Sequence, residues 1–152
     1  MKKLILLFAT FFFLTMTACA SENAPKGDTM NITITITNDD GRTHTLTAAL
    51  AENKSALAFA ELLQKGAVTV FMHDYGDFEK VGLLGASLVR SDTQITTEAG
   101  DIILYQGNQI TIYYDTNRWN FTRLGKINGV TQAELKAILG QGSVTAVFAV
   151  KP

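Results

Sequence analysis

Residues 30–37 alternate without a break. Ile32, Ile34 and Ile36 fall on one face, Thr33, Thr35 and Thr37 on the other. A period of two is the pleat of a half-buried strand. Asp40-Gly41 follows as a hairpin signal, and residues 43–50 return with Leu46, Ala48 and Leu50 together. The period then changes to helical. Ala56, Phe59, Ala60 and Leu63 stand at i, i+3, i+4 and i+7, with Asn53 or Ser55 as N-cap and Lys65-Gly66 at the end. Residues 67–73 read as a third strand with both faces fairly apolar, and residues 74–77 turn around Gly76. Residues 80–84 are a short strand, and the polar residues 91–100 are expected to be a loop. Strands at 101–106 and 109–114 meet at Gly107-Asn108. Residues 118–126 alternate again, with Trp119, Phe121 and Arg123 on one face. Thr131 and Glu134 form a capping box for a second helix whose stripe is Leu135, Ile138 and Leu139 and whose stop is Gly140. A last strand, residues 143–150, places Val144, Ala146, Phe148 and Val150 together.

Seven or eight strands at hairpin spacing, interrupted by two short helices, predict a mainly β domain. A closed barrel of about eight strands with the helices at its ends is the first architecture; an open α+β sheet is the alternative.

The N-terminus follows a different logic. Met1-Lys2-Lys3 is basic, and residues 4–16 carry no charge. That run is shorter than the ~20 residues of a spanning helix and has the length of a signal-peptide core. It ends in Met16-Thr17-Ala18-Cys19, where Cys19 is the only cysteine of the chain. This order resembles the bacterial lipobox, which implies cleavage before Cys19 and its acylation. Ala18-Cys19-Ala20 also fits an A-x-A cleavage site of a soluble exported protein. The expected division is a signal peptide at 1–18, a lipidated tether at 19–29 and a folded domain at 30–152. The expected place is a bacterial cell envelope, with the domain facing the periplasm or exterior; inner and outer membrane are both open.

Composition narrows the functions. Thirteen basic and 14 acidic residues give a net charge of −1, and loss of Lys2 and Lys3 with the signal leaves −3. A nucleic-acid binder shows a basic excess that is absent here. One cysteine excludes an intramolecular disulfide framework. The domain is expected to be monomeric and to need no cofactor or metal. Asp74, Asp77 and Glu79 read as a solvated acidic turn without the ligand order of a calcium loop. Gly85-Ala86-Ser87-Leu88-Val89 begins like a nucleophile elbow but lacks the second glycine.

Several short motifs occur in a telling order. Ser55-Ala56-Leu57-Ala58-Phe59-Ala60-Glu61-Leu62-Leu63 comes first, then Glu79-Lys80-Val81-Gly82, then Ala99-Gly100-Asp101-Ile102-Ile103-Leu104-Tyr105-Gln106-Gly107, then Thr122-Arg123-Leu124-Gly125-Lys126-Ile127. In this order and spacing the chain resembles the small bacterial cyclophilin-like domains over residues 32–150. The resemblance implies a compact eight-stranded barrel with two helices and leaves the reaction open. In true cyclophilins Phe, His and Arg stand consecutively on a strand. The nearest equivalent here is Phe71-Met72-His73-Asp74, without the arginine.

Tyr105, Tyr113, Tyr114, Trp119 and Phe121 lie on strands expected to be neighbours in a meander. Tyr105, Tyr114, Trp119, Phe121 and Arg123 are the candidate ligand pocket, suited to a peptide or a small apolar ligand. The same residues also suit cross-strand core packing. A binding module without catalysis is the first reading of function. A weak prolyl isomerase, with Arg123 supplying the donor from another strand, is the second.

Overall fold

The computed structural model describes residues 29–152; the expected signal segment, Cys19 and the expected tether up to residue 28 lie outside the described residues. The elements, in chain order, are β1 (Asn31–Asn38), β2 (Thr43–Leu50), α1 (Lys54–Gln64), β3 (Val68–Tyr75), β4 (Glu79–Leu83), β5 (Thr93–Thr96), β6 (Asp101–Tyr105), β7 (Gln109–Tyr113), β8 (Arg118–Asn128), α2 (Gln132–Leu139) and β9 (Val144–Val150).

Eight strands form a ring in the order β2-β1-β9-β3-β4-β7-β6-β8, and β8 returns to pair with β2. Every ladder is antiparallel. Closure removes the unpaired edges that an open sheet would expose. The closed barrel therefore holds over the open sheet. β5 is a ninth strand outside the ring, paired through Ile95↔Trp119 to the first half of β8.

Three expectations need correction. Residues 91–100 contain β5 rather than only loop. Thr93, Gln94 and Thr96 are exposed, so this strand carries no apolar alternation and is held by the β8 backbone instead. The β6–β7–β8 segment is not a meander, because β6 sits between β7 and β8. The β6–β7 turn is centred one residue early, on Gln106 and Gly107, both at positive φ. That is the signature of a type I′ turn, with Asn108 N–H returning to the Tyr105 carbonyl at 3.3 Å.

The main core fills the barrel. Ile32, Ile34 and Ile36 of β1 are fully buried, as are Ile110 and Ile112 of β7, with Val70 and Met72 of β3 closely similar. α1 covers the end near Met30 and Leu50, packing Phe59 edge-on against Phe148 with ring centres 5.9 Å apart. Its N-cap is Asn53, whose side-chain oxygen accepts from the Ser55 and Ala56 amides. The same amide donates to the Arg123 carbonyl at 2.8 Å, which ties the helix start to β8. α2 begins in the expected Thr131/Glu134 capping box and buries Leu135 and Leu139.

Candidate functional site

Alternation gives the wall β7-β6-β8 two faces. Ile102, Leu104, Ile110, Ile112 and Leu124 point into the barrel. Ile103, Tyr113 and Phe121 point out and form a second, separate cluster. Phe78, Ile95 and Tyr105 pack against that cluster from the surrounding segments. On it lies a cleft of about 480 Å³, lined by His73, Tyr75, Phe78, Glu79, Val81, Tyr105, Gln109, Tyr113, Asn117, Trp119 and Phe121. This volume lies within the usual ~300–1,000 Å³ of a small-ligand site.

The rings form a connected chain. Tyr75 meets Phe78 edge-on at 5.9 Å, and Phe78 stacks on Tyr113 at 6.0 Å. Tyr113 tilts against Phe121 at 5.6 Å, and Phe121 meets Tyr105 at 6.4 Å. Trp119 stands at the rim, 63% exposed. A tight turn places Phe78. Gly76 and Asp77 both have positive φ, and a Cβ on Gly76 would come within 2.2 Å of the Phe78 ring. Glycine at this position lets the ring fold back over the turn.

Glu79 is the charged residue of the cleft. β4 pairs it with Tyr113 of β7, so the two side chains share the outer face. It is only 8% exposed, and its Oε2 is buried with no hydrogen-bond partner. Burial holds its carboxyl above the usual carboxylate range, and the Tyr113 hydroxyl partly offsets this. Burial and the adjacent Glu79 push the Tyr113 phenol up in turn. The expectation of a solvated acidic turn therefore fails for Glu79. It fails for Asp74 too, whose carboxylate accepts from Lys80 and Tyr114. Among the described residues no three His, Cys, Asp or Glu side chains converge as a metal site would require.

Of the five expected pocket residues, Tyr105, Trp119 and Phe121 line the cleft. Tyr114 does not. It follows Tyr113 by one residue, so the pleat turns it inward into the main core, where its hydroxyl donates to Asp74 at 2.5 Å. Arg123 does not either. A bulge opposite Ile102 and Ile103 interrupts the β6–β8 register, and the guanidinium reaches back to Asp101 at 2.9 Å. Asp101 is 1% exposed and also accepts from the Glu98 amide, so Arg123 is a counter-charge for a buried carboxylate. The cleft thus lies on the outer wall of the barrel. Tyr75, Phe78, Glu79, Gln109 and Asn117 were not read as pocket residues. Of these only Tyr75 left a signal, the apolar outer face of β3, where Phe71 and Tyr75 flank His73 although Val70 and Met72 already fill the inner face.

A closed eight-stranded antiparallel ring with two helices is the architecture of a cyclophilin-like β-barrel. The sequence agrees: the family model described as the cyclophilin-like family matches residues 36–149. The chain belongs to that family. No curated protein matches it in sequence.

Proposed function

We propose that the protein is a non-catalytic binding module, held at a bacterial cell envelope by lipid on Cys19, that takes a peptide or small ligand on its outer wall. The observation that carries this reading is the aromatic cleft floored by Tyr113 and Phe121. Tyr75 and Trp119 of its lining are largely exposed, and Phe71 is exposed two residues from His73 on the same strand; exposed apolar side chains gathered on one face mark an interaction site.

A prolyl isomerase needs a donor that favours the twisted amide over the planar one. The lining residues include no arginine or lysine, and Arg123 is committed to Asp101. His73 and Phe71 on the outer face of β3 keep isomerisation as the second reading. Trp119 is the sole tryptophan, so a ligand screen on residues 30–152 can be followed through its emission. Hits that shift emission in the native domain and whose binding, followed by calorimetry, is weakened in Trp119→Ala support the module. Turnover of a proline peptide that is lost in His73→Ala replaces it with the isomerase. For the anchor, Cys19→Ser is expected to release the protein from membranes or block its processing. Normal trimming and retention of that variant would refute lipidation.

A further inference from the structure

Resting on the reading of the cleft as a ligand site, we propose that the group it takes is a substituted ammonium, with Glu79 as its counter-charge and the surrounding rings as its cage. The chemistry of the lining points one way. Aromatic faces are the negative side of a ring quadrupole and attract a cation placed over them. Tyr75, Phe78, Tyr105, Tyr113, Phe121 and Trp119 all border the space. Beneath them lies a carboxylate with no positive partner. The other buried carboxylate of the wall, Asp101, has two, Arg123 at 2.9 Å and Lys126 at 3.2 Å.

Glu79 departs from that pattern. Its side chain is more than nine-tenths buried, and its Oε2 has no partner at all. A buried acceptor without a partner is costly, and proteins rarely keep one without a use. Arg90, the basic side chain of the adjoining polar groove beyond Trp119 and Tyr105, is paired with Asp92. No lysine or arginine lines the cleft, and His73, which does, forms no ion pair with Glu79, so the positive charge is left for the ligand to bring. A substituted ammonium answers both features, because its alkyl groups suit the rings and its charge suits the carboxylate. A neutral apolar ligand would leave Glu79 buried and unpaired. An anion would meet it directly.

Such a group arrives either as a free amine or as a lysine side chain of a peptide, and two probe pairs separate these sources. Choline is compared with its uncharged tert-butyl isostere, 3,3-dimethylbutan-1-ol. Nα-acetyl-lysine methylamide is compared with the norleucine analogue. Binding is read from Trp119 emission and from backbone amide shifts at Tyr75, Phe78 and Tyr113. At least one cation is expected to bind about tenfold or more tightly than its neutral partner. Glu79→Gln, which keeps the shape, is expected to abolish that preference, and Trp119→Ala to weaken binding of the cation. Preference for choline identifies a free amine, and preference for the lysine amide a peptide. Equal binding of cation and isostere, or a preference that survives Glu79→Gln, overturns the cation proposal and leaves the cleft as an apolar ligand site. Silence from all four probes overturns it as well, and the wider screen then judges the binding module separately.

Discussion

Tyr113 and Tyr114 are neighbours in the chain and send their hydroxyls to opposite sides of the barrel wall. Tyr113 lies outward beside Glu79 and accepts from Asn117 at 3.4 Å; Tyr114 lies inward and donates to Asp74 at 2.5 Å. Truncating each to phenylalanine should give opposite results. Tyr114→Phe removes a hydrogen bond to a carboxylate and should cost about 1.5–3 kcal/mol in urea unfolding, with ligand binding unchanged. Tyr113→Phe should cost less than about 1 kcal/mol and alter binding in the cleft. If Tyr114→Phe impairs binding as much as Tyr113→Phe, the division of the wall into core and site faces is wrong.

Lys80 shows how the interior end of that network is held. Its side chain has no exposed surface, and its ammonium donates to Asp74 at 2.5 Å, Gly140 O at 3.0 Å and Gly142 O at 2.7 Å. Three donors meet three acceptors, which clamps the link between α2 and β9 onto β3 and β4. Lys80→Met would leave two carbonyls and a half-buried carboxylate without the charge. The expected loss is about 3–5 kcal/mol, the range for removing one member of a buried pair. A loss below about 1 kcal/mol would mean that water replaces the ammonium at no cost.

The part of the fold that is written locally was legible. The Ile32/Ile34/Ile36 stripe and the Thr131/Glu134 capping box need only their own neighbours, and both stand where the sequence puts them. β5 was not legible, because its stability comes from pairing with β8 and not from burying a face. The site was legible in composition but not in parity or register. Trp119, Phe121 and Arg123 alternate on one strand, yet only the first two reach the cleft, since Asp101 from β6 captures Arg123. Glu79 was hidden by its company. Beside Asp74 and Asp77 it reads as a turn residue, and only the β4–β7 ladder places it under Tyr113.

Burial raises the Glu79 carboxyl, which fixes the sign of a pH effect. A carboxyl whose folded pKa exceeds its unfolded value binds more protons in the native state. Its contribution to stability is therefore present at acid pH and lost as pH rises through the raised folded value. Glu79→Gln cannot ionise and escapes that loss. Thermal unfolding of the variant should show higher stability than the native domain at pH 7.5, with the difference closing by pH 4. His73 also lines the cleft, so the comparison is repeated in a His73→Asn background. A constant difference across that range would mean that Glu79 does not titrate differently in the folded and unfolded states.

Gly76 tests whether the aromatic cage is built by the turn beneath it. Its φ is +59°, in the left-handed region that L side chains occupy at a cost of roughly 1–2 kcal/mol. Gly41 has a φ of +82° but open space around it, whereas a Cβ on Gly76 would meet Phe78 Cε1 at 2.2 Å. Gly41→Ala therefore carries only the backbone cost, and Gly76→Ala adds displacement of a ring. Phe78 stacks on Tyr113 and lines the cleft, so its movement should reach the site. Both variants should lose stability by about 1–2 kcal/mol from the backbone alone. Only Gly76→Ala should also weaken ligand binding and change the amide shift of Tyr113. Equal binding by the two variants would show that the Phe78 ring relaxes without disturbing the cleft, and that the turn positions the strands and not the site.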